Sequence, residues 1–101
     1  MKSKQDHLDV LRAIQKKPKT SQREMARVLG FSLGKLNYCL KALQVKGLVK
    51  IKNFQNQPNK AKYIQYILTP KGIAERTSLT INFMKRKLQE YDELKNELKK
   101  K

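Results

Sequence analysis

Acid is what this sequence has least of. Residues 10–74 contain a single carboxylate, Glu24, against 14 Lys and Arg residues. The full 101-residue chain holds 24 basic and 8 acidic residues, a formal charge of +16. The flanks are better balanced: residues 1–9 are neutral, and residues 75–101 carry 8 basic and 5 acidic side chains. A body with so few carboxylates cannot neutralise itself through internal ion pairs, and its surface points to a polyanionic partner. Other absences narrow the class. With one cysteine, Cys39, there is neither an intramolecular disulfide nor a zinc–cysteine cluster. With one histidine, His7, there is no His-based catalytic pair or metal site. No apolar run approaches the roughly 18 residues of a membrane span. The opening MKSKQDHLDV lacks the apolar stretch of a signal peptide. The expectation is a cytoplasmic, non-enzymatic chain without cofactor or metal.

What is present reads as helices, then strands, then a helix. Asp6 is placed to cap a first helix over about 6–17, with Leu8, Leu11 and Ile14 on one face and Pro18 as its stop. Thr20 or Ser21 caps a second, and Ser21 with Glu24 has capping-box spacing. Met25, Val28 and Leu29 form its apolar face, and Gly30 ends it. Ser32 caps a third helix running to about Lys46, where Leu33, Leu36, Leu40 and Leu43 make one stripe and Gly47 stops the chain. Val49 and Ile51 alternate with Lys50 and Lys52, and Tyr63 to Thr69 are rich in β-branched and aromatic residues. The polar stretch between them predicts an antiparallel hairpin. Pro70 and Gly72 mark a turn, and a long helix follows from about Gly72 to the end.

Two short helices joined by a tight glycine turn, with a helix before and a basic hairpin after, predict a winged helix-turn-helix. The expected fold is α+β, mostly helical: a DNA-binding domain over 1–72 and a C-terminal dimerisation helix over 73–101. The third helix turns Gly34, Asn37, Tyr38, Lys41, Ala42 and Val45 away from its leucines, with Lys35 at the edge. Asn can read adenine-like edges, Lys guanine or phosphate, and Tyr phosphate or a thymine methyl. Glycine lets the backbone come close to a groove. Ser32 joins this set at the helix start. Thr20, Ser21, Gln22 and Arg23 form a second candidate, because a helix N-terminus can hold a phosphate. Asn59, Lys60 and Lys62 near the hairpin tip form a third, positioning the protein without reading sequence. A solvated helix face and aggregation-blocking edge lysines are the plain alternatives. On the last helix Ile81, Met84, Leu88, Tyr91 and Leu98 follow heptad spacing, with Lys95 in the remaining core position and Leu94 beside it. That stripe predicts a homodimer. Cys39 reads as an apolar filler rather than a redox sensor. The acids Glu90, Asp92, Glu93 and Glu97 read as partners for neighbouring lysines.

Residues 10–74 resemble the winged-helix domain of MarR-type bacterial transcriptional regulators. The residues that carry the likeness are Thr20 to Ala26 with Leu29-Gly30, Leu40-Lys41-Ala42-Leu43 running into Lys46-Gly47-Leu48-Val49, and the hairpin exit Leu68-Thr69-Pro70-Lys71-Gly72. Ser32-Leu33-Gly34-Lys35 with Asn37-Tyr38-Cys39-Leu40 resembles the small branch associated with exopolysaccharide gene clusters. Asn59, Lys60 and Lys62 stand where that family usually has an Asp-x-Arg wing tip. The resemblance implies a sequence-specific, double-stranded-DNA-binding homodimer that regulates transcription, with any effector unspecified. The rival readings are a winged-helix module that binds protein, or an RNA-binding accessory protein.

Overall fold

Helix α1, Ser3–Lys16, buries Leu8, Val10, Leu11 and Ile14 as its periodicity requires. The chain is seen here in a computed structural model, which describes residues 3–52 and 65–100. The helix begins before Asp6, so Asp6 is not its cap but a first-turn acid, still favourably placed at the positive helix end. Helix α2, Gln22–Leu29, is capped by Ser21, whose hydroxyl accepts the Glu24 N–H at 3.1 Å. The Glu24 carboxylate does not complete a capping box; it is taken by Arg27. Gly30 ends α2 at φ 72°, the left-handed conformation glycine adopts without a Cβ penalty. Helix α3, Leu33–Val45, starts at a Ser32 cap that accepts the Lys35 N–H at 3.1 Å.

Two expected core faces shift by part of a turn. On α2 the buried pair is Met25 and Ala26, with Leu29 partly buried, while Val28 is 64% exposed. On α3 Leu36, Cys39, Leu40 and Leu43 are buried, and Leu33 is exposed. At about 100° per residue those four span an arc of roughly 100°. Leu33 falls outside its edge and Cys39 inside. The core therefore selects a contiguous arc, not every leucine in register.

Strands β1, Val49–Lys52, and β2, Gln65–Leu68, pair antiparallel with Val49 opposite Leu68 and Lys52 opposite Gln65. Only the start of β1 lies over the core: Val49 is buried, and Ile51 is exposed despite its alternation. The hairpin segment 53–64 lies outside the described residues.

Helix α4, Pro70–Lys99, begins two residues earlier than the expected turn allowed. Proline is tolerated in a first helical turn because its missing N–H would have no partner there. Thr69 caps the helix by accepting the Gly72 N–H at 3.0 Å, and its hydroxyl donates to the Gly47 carbonyl at 2.6 Å. The Thr69 N–H donates to the Leu48 carbonyl at 3.0 Å, and the Lys71 ammonium to the Lys46 carbonyl at 3.1 Å. Gly72 is thus not a turn residue: it is buried inside the helix, where a Cβ would collide with the Leu48 carbonyl oxygen. This corner locks the start of α4 to the end of α3. The helix packs on the core as far as Leu79, lines a groove with the start of α1 through Asn82, Lys85 and Arg86, and then extends beyond the body, giving the molecule extents of 65 × 26 × 22 Å.

Candidate nucleic-acid interface

Burial of Leu36, Cys39, Leu40 and Leu43 dictates what α3 shows to solvent. Gly34, Asn37, Tyr38, Lys41 and Val45 are all exposed, Tyr38 by 76% and Val45 by 82%. Gly34, Lys41 and Val45 fall on the line opposite the core, flanked by Tyr38 and Asn37. The face is acid-free. Val45 belongs to this ridge though it carries no polar group; an apolar side chain left this open beside Lys41 suits contact with a thymine methyl. Lys35 leaves the ridge. Its ammonium lies 3.4 Å from the Asp6 carboxylate and 4.2 Å from the centre of the Phe31 ring, so it faces α1.

The start of α2 supplies Ser21 and Arg23, both exposed, with Thr20 partly buried. Gln22 is held: its amide donates to the Tyr66 hydroxyl on β2 at 3.4 Å. Tyr66 is absent from the sequence candidates. Its partner is 44 residues away, and nothing local in the chain signals that contact. Of the candidates at the hairpin tip, Asn59, Lys60 and Lys62 lie outside the described residues. Ser32 is exposed and engaged as the α3 cap.

The electrostatics follow from the missing acids. Glu24 is the only carboxylate of α2, α3 and the two strands, and Arg27 holds it. The Arg27 hydrogen bond lowers the Glu24 carboxyl below its ordinary pKa, and Glu24 raises the Arg27 guanidinium in turn. The remaining cations of the interface have almost no acid to answer them. Burial pushes the Cys39 thiol up, the opposite of what a reactive thiolate needs. Among the described residues there is no group of three or more His, Cys, Asp or Glu placed to hold a metal, and no helix long and apolar enough to cross a membrane.

Comparison with known proteins gives this geometry a class. Residues 7–50 match the family described as winged helix-turn-helix DNA-binding. The fold, three helices followed by a two-stranded sheet, is that of a winged helix-turn-helix. Solved MarR-type regulators share the architecture. A Staphylococcus aureus MarR in complex with salicylate and kanamycin matches at TM-score 0.66 and 24% identity, covering 89% of this chain and 57% of its own. An E. coli MarR mutant complexed with operator DNA matches at TM-score 0.61 and 27% identity, covering 73% and 51%. The transcriptional repressor CouR, bound to a DNA duplex, matches at TM-score 0.70 and 25% identity, covering 86% and 59%. The chain thus spans between one half and three fifths of the length of these relatives. No curated protein sequence matches it significantly.

Proposed function

We propose that this chain is a DNA-binding transcriptional regulator of the MarR type, of the small branch associated with exopolysaccharide gene clusters. It acts as a cytoplasmic homodimer, nucleoid-associated when bound, with a DNA-binding unit over 1–72 and a dimerisation helix over 73–101. The observation that carries the reading is the outward ridge of α3: exposed, acid-free and turned directly away from the core. In the major groove Asn37, Tyr38 and Lys41 read base edges and Gly34 permits close approach. Ser21, Arg23 and the wing, including Asn59, Lys60 and Lys62, hold flanking phosphates. Pairing is supported by α4, where Ile81, Met84, Leu88, Tyr91, Leu94 and Leu98 are 46–73% exposed in the single chain. Burying a large apolar side chain is worth about 1.5–3 kcal/mol, so even partial burial of this stripe stabilises a dimer.

Selection of bound duplexes from a random pool tests the reading. The expected product is a two-fold symmetric site, with half-sites about one helical turn, or a multiple, apart. Asn37→Ala, Tyr38→Ala or Lys41→Ala should then weaken the selected site by about 1–3 kcal/mol where a base contact is lost. No enrichment from the pool, or RNA competing as well as duplex DNA, would count against it.

A further inference from the structure

The exposed stripe of α4 is bordered by charge that changes sign along the helix. Lys85, Arg86 and Lys87 are consecutive, and Glu90, Asp92 and Glu93 follow within the next six residues. Taking Ile81, Leu88 and Lys95 as one heptad core column and Met84, Tyr91 and Leu98 as the other, Lys85 and Asp92 fall in the same flanking column, one heptad apart. Among the described residues neither has an ion-pair partner in its own chain, whereas Lys87 is 3.5 Å from Glu90.

Resting on the dimer reading above, we propose that α4 is covered by α4 of a second copy of this chain running antiparallel, with the two-fold axis between Gln89 and Glu90. This register places Ile81 across from the partner's Leu98, Leu88 across from the partner's Tyr91, and Met84 across from the partner's Lys95. It also sets Lys85 beside the partner's Asp92, twice per dimer by symmetry. Lys95 then lays its aliphatic stem over Met84 and sends its ammonium to water. A parallel, in-register pair would also form an ion pair, Lys87 beside the partner's Asp92, but only by competing with the Glu90 that Lys87 already meets at 3.5 Å in its own chain. It stacks Lys95 on the partner's Lys95 in the seam and brings the Lys85–Lys87 cluster against itself. It also gathers both winged-helix bodies, each strongly basic, at one end. Antiparallel pairing sends the bodies to opposite ends.

Disulfide trapping in the full chain separates the orientations. The substitutions are Met84→Cys and Lys95→Cys, both at exposed positions, each alone and mixed; the unsubstituted chain, whose one thiol is the buried Cys39, is the blank. Antiparallel pairing crosslinks only the mixture, as a heterodimer. Self-crosslinking of each variant alone means a parallel pair and overturns the inference while leaving the dimer reading intact. A dimer that traps neither way pairs through another surface, which also overturns it. A chain that light scattering finds monomeric at tens of micromolar removes the dimer reading itself. Charge reversal gives an independent measure. Lys85→Asp or Asp92→Lys alone should raise the dimer dissociation constant by about tenfold, and both together should restore most of it. If instead Asp92→Lys is rescued by Lys87→Asp and not by Lys85→Asp, the helices run parallel.

Discussion

Gly34 stands in the first turn of α3 with helical backbone, and a methyl group there would meet nothing within 4 Å in its own chain. Glycine inside a helix costs roughly 0.5–1 kcal/mol relative to alanine. The fold gains nothing from it, so its use belongs to what approaches that face. Gly34→Ala should raise thermal stability by that amount while weakening duplex binding, a separation visible by comparing melting curves with affinity. Gly72 is the reverse case. Its missing Cβ is what lets α4 reach the Leu48 carbonyl, and a Cβ would also lie 2.9 Å from the carbonyl carbon. Backbone cannot move aside as a flexible side chain would. Gly72→Ala should cost about 3 kcal/mol, whereas Gly30→Ala, strained by φ 72° but sterically open, should cost about 1–2 kcal/mol. Denaturant midpoints of the two variants check that order.

At the scale of elements, α1 carries a group that makes packing sensitive to pH. His7 is partly buried, and its pKa is lowered first by that burial and then by Lys46, with Asp6 and Glu75 opposing. The unfolded chain, with histidine near its ordinary value of about 6.5, binds a proton that the folded chain resists. Stability therefore rises with pH through this window: the contribution is fully present above about pH 6.5 and is lost as pH falls below it. His7→Gln should flatten the slope of stability against pH between about 5 and 7 relative to the parent chain. Urea unfolding at a series of pH values measures it, and an unchanged slope would show that His7 titrates alike in both states.

For the whole molecule, charge and length act together. In the proposed dimer two copies bring a formal charge of +16 each to one duplex, so affinity should depend on counterion release. With about 6–10 phosphate contacts per dimer, log affinity should fall with log salt at a slope near −5 to −9. Truncation after Leu79 keeps the α4 residue that packs on the core and removes the exposed stripe. That shortened chain should remain folded and monomeric, hold DNA weakly and non-specifically, and lose most operator affinity with its second half-site. Light scattering and binding of both lengths decide it; equal operator affinity would show that pairing is not needed.

The sequence by itself determined the features that act within four residues. Ser21, Gly30, Ser32 and Gly47 bracket α2 and α3 because a cap or a left-handed glycine is a contact with the next turn. The acid-free body was legible for a simpler reason: composition needs no coordinates. Heptad spacing along α4 was equally open to reading. Only the tertiary structure decided which edge of each apolar arc goes in, putting Ala26 inside and leaving Val28 and Leu33 out. It alone turned Lys35 toward Asp6, tied Gln22 to Tyr66 and made Gly72 a packing residue rather than a turn. Each of these depends on a neighbour more than 20 residues away in the chain. Periodicity says that a face is apolar, but what arrives against it is a property of the assembled body.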